Sequence, residues 1–374
     1  MLQVVYSDHD LLDEASNTGV AGNAPEARKR LVQAALRAGP GPNFLKVSKP
    51  EPNLFDLGGL VHSPGMLEFL STCWDRWQQE WTLAGESKNH LIGVFCSPQA
   101  DASSTVAPPF NAGFFAARHE LSSDMGRSVF SQACYFAMDK ETPISATTCE
   151  GLLWDLAVIR ESVQQLAQYR VVYAQITHPG HHAFASSYGG FCFINQAAVG
   201  IKLMQQQHKY RRIAVVDVDF HAGNGTSAIL ANEHDVFFAS LHADPNLDYP
   251  YNFFPQSSPH QLHINLPKHG CTWSQYSVLL SKVIDAVIRF QPDALVVSLG
   301  VDTLRGDPVA LPQTRCGLAP QDYSEMGKML LGDPRLAKLP TLVVQEGGYK
   351  LDEVHLAVSA FLSAAGQVSS WPKL

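Results

Sequence analysis

Asp217, Asp219 and His221 sit at alternate positions directly after the apolar run 213–216. That run reads as a buried strand, and side chains alternate faces along a strand. If the extended geometry continues to residue 221, all three leave the strand tip on one face. Two carboxylates and an imidazole are costly to bury together without a positive partner. A divalent metal is the simplest such partner. The small turn Ala222-Gly223-Asn224-Gly225-Thr226 follows at once and aims the cluster at a cleft. The stretch therefore reads as the centre of a metalloenzyme.

Three further clusters follow apolar runs. Asp302 closes Ser298-Leu299-Gly300-Val301-Asp302. A lone Asp there is as readily a turn or helix cap, but its phase matches the first cluster. Asp219, His221 and Asp302 together form an Asp₂His set with room for solvent, the donor count of a catalytic zinc site. The second cluster is His178-Pro179-Gly180-His181-His182, after the run 171–176. Adjacent histidines could be metal ligands, a proton-transfer pair or plain loop residues. Beside a metal a general base is expected, and a neutral imidazole suits that task. Asp217 and Asn224 can each stand behind one ring. A carboxylate favours the protonated ring and an amide leaves its ring free, so His181 reads as cationic and His182 as the base. The third cluster, Glu346-Gly347-Gly348-Tyr349, follows the run 342–345. Its glycines allow a positive φ or a close backbone approach. Tyr349 could then turn into the cleft as a donor to a developing oxyanion, although a simple turn explains the tripeptide equally well.

The elements that must position these residues alternate along the chain. Strands are expected at 2–6, 92–96, 171–176, 213–219, 235–241, 294–299 and 341–345, and helices at 151–168, 195–208, 275–290 and 352–365. The strand runs are almost continuously hydrophobic, as in strands covered on both faces. The stripe Tyr276, Leu279, Leu280, Val283, Val287 and Phe290 is core packing of one helix. The pattern predicts an α/β fold: one domain over 1–374, doubly wound, with a mostly parallel sheet flanked by helices. Loops at 37–53, 97–113, 243–260 and 303–320 would wall a pocket at the carboxyl ends of the strands.

Composition narrows the function classes. Of 374 residues, 45% are hydrophobic and 17% charged, which suits a large core and argues against disorder. The net charge of −8, with no block of Lys and Arg, argues against nucleic-acid partners. Seven cysteines without a Cys-x-x-Cys read as reduced thiols in a reducing, cytoplasmic setting. The first residues read as a strand, not a leader. No apolar run approaches the roughly 20 residues a membrane span needs, so no membrane partner is expected. A homo-oligomer is compatible with the sequence.

Six motifs bring these residues together: Pro-Gly-His-His-Ala (179–183), Gly-Gly-Phe-Cys-Phe-Ile-Asn (189–195), Asp-Val-Asp-Phe-His-Ala-Gly-Asn-Gly-Thr (217–226), Ser-Leu-His-Ala-Asp-Pro (240–245), Gly-Val-Asp-Thr (300–303) and Glu-Gly-Gly-Tyr (346–349). In order and spacing the chain resembles the zinc-dependent histone deacetylases of the arginase–deacetylase fold. Within that family it is most similar to acetylpolyamine amidohydrolases and class II-like deacetylases. The resemblance implies one Zn²⁺ on Asp219, His221 and Asp302, and the pair His181 and His182 backed by Asp217 and Asn224. It implies Tyr349 as oxyanion donor and a tunnel walled by Phe191, Gly190 and Tyr249. It also suggests a structural K⁺ near Asp217, Asp219, His221, Ser240 and Leu241. The implied reaction is hydrolysis of an N-acyl amide, such as acetyl-lysine in protein or an acetylated polyamine.

The chain departs from the family pattern in places. Ala222 stands where a second histidine is usual, Thr177-His178-Pro179-Gly180 replaces Arg-Pro-Pro-Gly, and Asn195-Gln196 replaces Asn-Asn. Gly126 occupies the entrance-loop place where the polyamine branch carries an acid, with Asp124 the nearest carboxylate, which argues against strict acetylpolyamine specificity. Two other readings compete. A binuclear-manganese ureohydrolase of the arginase type needs a second carboxylate pair near Asp302, and Gly300-Val301-Asp302-Thr303 offers none. A non-catalytic acyl-lysine-binding module predicts loss of a catalytic residue, and none is missing.

Overall fold

The computed structural model describes residues 2–8, 25–39, 42–48, 50–83, 128–139, 142–251, 253 and 257–367. The run 92–96 expected as a strand, and the positions Asp124 and Gly126, lie outside these residues. Among the described residues eight strands form one sheet: β1 (Leu2–Tyr6), β2 (Asn43–Lys46), β3 (Val171–Gln175), β4 (Ile213–Asp217), β5 (Val236–His242), β6 (Gln261–Asn265), β7 (Ala294–Leu299) and β8 (Thr341–Gln345). Their order is β2-β1-β3-β8-β7-β4-β5-β6, and every pairing is parallel.

Helices cover both faces, because parallel strands need crossovers and each crossover packs back onto the sheet. They are α1 (Pro25–Ala38), α2 (Pro64–Leu83), α3 (Val129–Phe136), α4 (Thr148–Gln165), α5 (Gln196–Gln207), α6 (Asn224–Ile229), α7 (Trp273–Phe290), α8 (Pro320–Leu331) and α9 (Val354–Ser363). Strand alternation divides the core in two. Tyr173, Val216, Val297 and Val343 pack with α7, α8 and α9 on one face. Val172, Val215, Val296 and Val344 pack with α2, α4 and α5 on the other. The apolar stripe of α7 is buried at Tyr276, Leu280, Val283 and Val287, while Leu279 is only partly buried against the same core.

The edges of the sheet differ from expectation. β2 lies inside the stretch 37–53 expected as a loop, and α1 runs into its beginning. β6 follows the stretch 243–260 and was not expected as a strand at all. β4 stops at Asp217, short of the expected 219. Beyond it the chain turns, with Asp217 Oδ1 accepting from Asp219 N–H at 3.1 Å and Asp219 Oδ1 from His221 N–H at 2.9 Å.

The connectivity decides where chemistry can occur. The chain leaves β3, skips two strand positions to lay down β4, continues outward through β5 and β6, and returns to fill the gap with β7 and β8. The carboxyl ends of β3, β8, β7 and β4 are therefore adjacent, although their segments are far apart in sequence.

Candidate metal centre and active site

Each of those four strand tips delivers one of the clusters. From β4 and β7 come Asp219, His221 and Asp302, all buried, with one donor atom from each lying within 4.8 Å of the others. His221 Nδ1 is 3.4 Å from Asp219 Oδ1 and 2.9 Å from Asp302 Oδ2. The second approach is misaligned for a hydrogen bond, so Asp302 Oδ2 has no hydrogen-bond partner among the described residues. The opposite oxygens are anchored: Asp219 Oδ2 accepts from Gly347 N–H at 2.9 Å and Asp302 Oδ1 from Phe220 N–H at 2.8 Å. The carboxylates approach closely because Gly300 lacks a side chain; a Cβ there would lie 2.0 Å from Asp219 Oδ2.

Electrostatics at this point favour a cation. Burial and the neighbouring Asp219 push the Asp302 carboxyl up to about 7. Asp219 is held well below the usual carboxylate range by His181 and His221, against the pull of its own burial. Two like charges at this distance repel, and a divalent ion bound between them removes the penalty. An unpartnered carboxylate oxygen, two anchored carboxylates and an imidazole fit a metal such as zinc in both donor type and number.

The tip of β3 supplies the histidines. Their rings lie 4.0 Å apart, centroid to centroid. His181 Nδ1 is 3.1 Å from Asp217 Oδ2, and its Nε2 is 3.6 Å from Asp219 Oδ1. Burial opposes the charge on His181, but Asp219 and Asp217 outweigh it and raise this imidazole to about 10. His182 Nδ1 lies 2.8 Å from Asn224 Oδ1, the same oxygen that accepts from Gly225 N–H at 3.1 Å. Gly225 thereby fixes which atom of the amide faces the ring, so Nδ1 carries the hydrogen and Nε2 keeps its lone pair. Burial, then the neighbouring His181 and His221, drive His182 well below the ordinary histidine range. The two rings are thus polarised in opposite senses.

The histidine loop is braced from several elements. Glu346 Oε2 accepts from Gly180 N–H at 2.6 Å and His181 N–H at 3.2 Å. Asp155 on α4 accepts from Thr177 N–H at 2.7 Å and lies 2.8 Å from His178 Nδ1, so His178 is tied into the scaffold where the family pattern has a proline. Asn195 caps α5 by accepting from Ala198 N–H and donates to Thr226 Oγ1 at 2.9 Å. His62 bridges the two arms of the loop: Nδ1–H donates to Phe184 O and Nε2 accepts from Asn195 N–H, both at 2.8 Å.

A cavity of about 390 Å³ opens onto Asp219, His221, His181, His182 and Tyr349, and Gly190, Phe191 and Tyr249 form part of its wall. Phe191 and Tyr349 rings are 5.6 Å apart, and Tyr249 lies edge-on to His182 at 4.8 Å. Gly190 and Phe191 both have positive φ, 59° and 64°. Phe191 pays about 1–3 kcal/mol for this, and two side chains hold it there. Asp139 accepts from Gly190 N–H and from the Tyr249 hydroxyl, and Thr142 Oγ1 accepts from Phe191 N–H at 2.9 Å. Tyr349 is buried beneath the Arg28 guanidinium, 5.7 Å from its ring, and Arg28 also donates to Thr177 O and Gly348 O.

Asp139, Asp155, Asp248, Asp307, Arg28 and His62 escaped the sequence reading. Asp248 accepts from Leu311 N–H and the Thr314 hydroxyl and approaches His221 Nε2 at 4.0 Å. No spacing marks these residues, because each acts on backbone or ring atoms distant in sequence. Of the residues suggested for K⁺, Ser240 is in register with Asp217, and its buried hydroxyl has no partner among the described residues.

The single parallel sheet flanked by helices is that of the arginase–deacetylase class of α/β fold. The chain belongs to the histone deacetylase family: residues 24–365 match the histone deacetylase domain. It is 33% identical over 303 residues to acetylpolyamine amidohydrolase 1 of Pseudomonas aeruginosa, covering 79% of this chain and 78% of that one. It is 30% identical over 374 residues to the acetylpolyamine amidohydrolase of Mycoplana ramosa, covering 96% and 98%. The crystal structure of acetylpolyamine aminohydrolase from Burkholderia pseudomallei superposes with a TM-score of 0.73 at 25% identity, over 91% of this chain and 90% of that one.

Proposed function

We propose that this chain is a single-domain, zinc-dependent deacetylase that hydrolyses the N-acetyl group of a primary amine carried on an aliphatic chain. The observation that carries the reading is the convergence of Asp219, His221 and Asp302 within 4.8 Å, beside a cavity that also reaches His181, His182 and Tyr349. Zn²⁺ on those three residues would supply Lewis acidity toward the acyl carbonyl and the attacking water. His182, neutral and held by Asn224, accepts the proton of that water at Nε2. The Tyr349 hydroxyl donates to the oxyanion, an interaction whose loss typically costs about 3–4 kcal/mol. A protonated histidine then gives its proton to the leaving nitrogen as the C–N bond breaks, and His181 is already cationic against Asp217. Phe191 and Tyr249 grip the methylene chain.

The relatives' names favour an acetylated polyamine as substrate, and acetyl-lysine in protein is the alternative. The orphan hydroxyl of Ser240 beside Asp217 supports a structural K⁺ using Asp217, Asp219, His221, Ser240 and Leu241. No described helix is long and apolar enough to cross a membrane. The six described cysteines are all free thiols, in keeping with a cytoplasmic setting.

The test pairs activity with metal content. His182→Ala and Tyr349→Phe should each lower kcat by roughly 10²–10³-fold with zinc retained, while Asp219→Ala should lose the zinc. Near wild-type rates in both of the first two variants would reject these roles. Acetylated polyamines, acetyl-lysine peptides and longer acyl-lysines assayed side by side rank the substrates.

A further inference from the structure

We propose that Asp307 is a positioning residue that sets the Tyr349 hydroxyl in its donating place and ties that place to the substrate-lining loop. The inference rests on the reading of Tyr349 as oxyanion donor.

Tyr349 hangs from a turn of two glycines. Gly348 has φ +126°, and a Cβ there would meet Val301 Cγ2 at 2.4 Å, so no other residue takes its place without strain. Such a turn has wide conformational freedom, and a phenol at the end of it moves further than the backbone does. Something outside the turn must fix it. Asp307, on the loop between β7 and α8, is fully buried. Its Oδ2 accepts from Tyr349 N–H at 2.7 Å and from Lys350 N–H at 3.1 Å. Its Oδ1 accepts from Val309 N–H at 3.1 Å. Pro308, Val309 and Leu311 of the same loop line the cavity. From the other side Arg28 donates to Gly348 O at 3.4 Å.

The carboxylate is thus held by three backbone N–H groups and by no ion pair among the described residues. Charge-assisted bonds of this kind are stronger than neutral ones, and a carboxylate can serve donors at both oxygens. An amide cannot, since its NH₂ would face an N–H on one side. The arrangement links two loops that share no strand: the one that carries the oxyanion donor and the one that touches substrate.

Asp307→Asn tests this in two backgrounds with an acetylated amine as substrate. In the wild-type background kcat should fall roughly 10–50-fold, with KM within about 2-fold and metal content unchanged. In the Tyr349→Phe background the same change should alter kcat by less than about 2-fold. A loss of equal size in both backgrounds, or one confined to KM, overturns the proposal. If Tyr349→Phe alone leaves the rate intact, the donor role fails first and this proposal falls with it. Should Asp307→Asn not fold, hydrogen exchange of the Tyr349 amide in the unmodified chain decides. Strong protection supports the bond to Asp307, and exchange at the rate of an open loop overturns it.

Discussion

His62 should make the fold acid-sensitive in a way one substitution can isolate. Its ring is buried and neutral, with Nδ1–H on Phe184 O and Nε2 accepting from Asn195 N–H. Protonation would turn Nε2 from acceptor into donor against that N–H. Burial accordingly lowers this imidazole from 6.5 to about 4. Between those values the unfolded chain binds a proton that the folded chain refuses, so stability falls as pH falls. The gap corresponds to about 3 kcal/mol once pH is below both values, of which about 2 kcal/mol is lost between about pH 7.5 and pH 5. His242 and His263 are also lowered by burial, to about 4 and about 3, and add losses of the same sign. The difference between wild type and His62→Gln removes those shared terms. Gln is uncharged and offers one donor and one acceptor, so its unfolding free energy should lose about 2 kcal/mol less between the two pH values. Urea denaturation at both pH values measures this. Equal pH dependence in the two proteins would refute the neutral, buried assignment.

Gly300→Ala places a methyl group 2.0 Å from Asp219 Oδ2. It should abolish stoichiometric metal binding and lower stability by roughly 2 kcal/mol or more, read by metal analysis and thermal melting. Asp139→Ala releases both Gly190 N–H and the Tyr249 hydroxyl. It should raise KM several-fold, with metal content unchanged, because the tunnel wall loosens while the strand tips stay in place. An unchanged KM would mean that Asp139 is not needed to hold the strained Phe191 backbone.

The central strands were legible because they are covered on both faces. β3, β4, β7 and β8 are buried at every residue, and such strands read as unbroken apolar runs. β2 and β6 are edge strands that are exposed or partly buried at most positions, with the sequences NFLK and QLHIN. An edge strand needs neither a hydrophobic run nor strict alternation, and the Gly and Pro around β2 concealed it further. The same division holds at the site. Asp219, His221 and Asp302 could be grouped because residues at strand tips carry a spacing. Asp307, Asp139 and His62 could not, because they pair with backbone atoms contributed by distant segments. A carboxylate that accepts from main-chain N–H groups looks, in sequence, like any loop aspartate.

The insertion of β7 and β8 between β3 and β4 also has a consequence for maturation. A ribosome delivers the histidine pair, Asp219 and His221 long before it delivers Asp302, and Gly347, which anchors Asp219, later still. Until residues 341–349 have emerged, the middle of the sheet is a gap and the framework that gathers Asp219, His221 and Asp302 is incomplete. On the proposed ligand set, metal loading belongs among the last events in the maturation of a newly made chain.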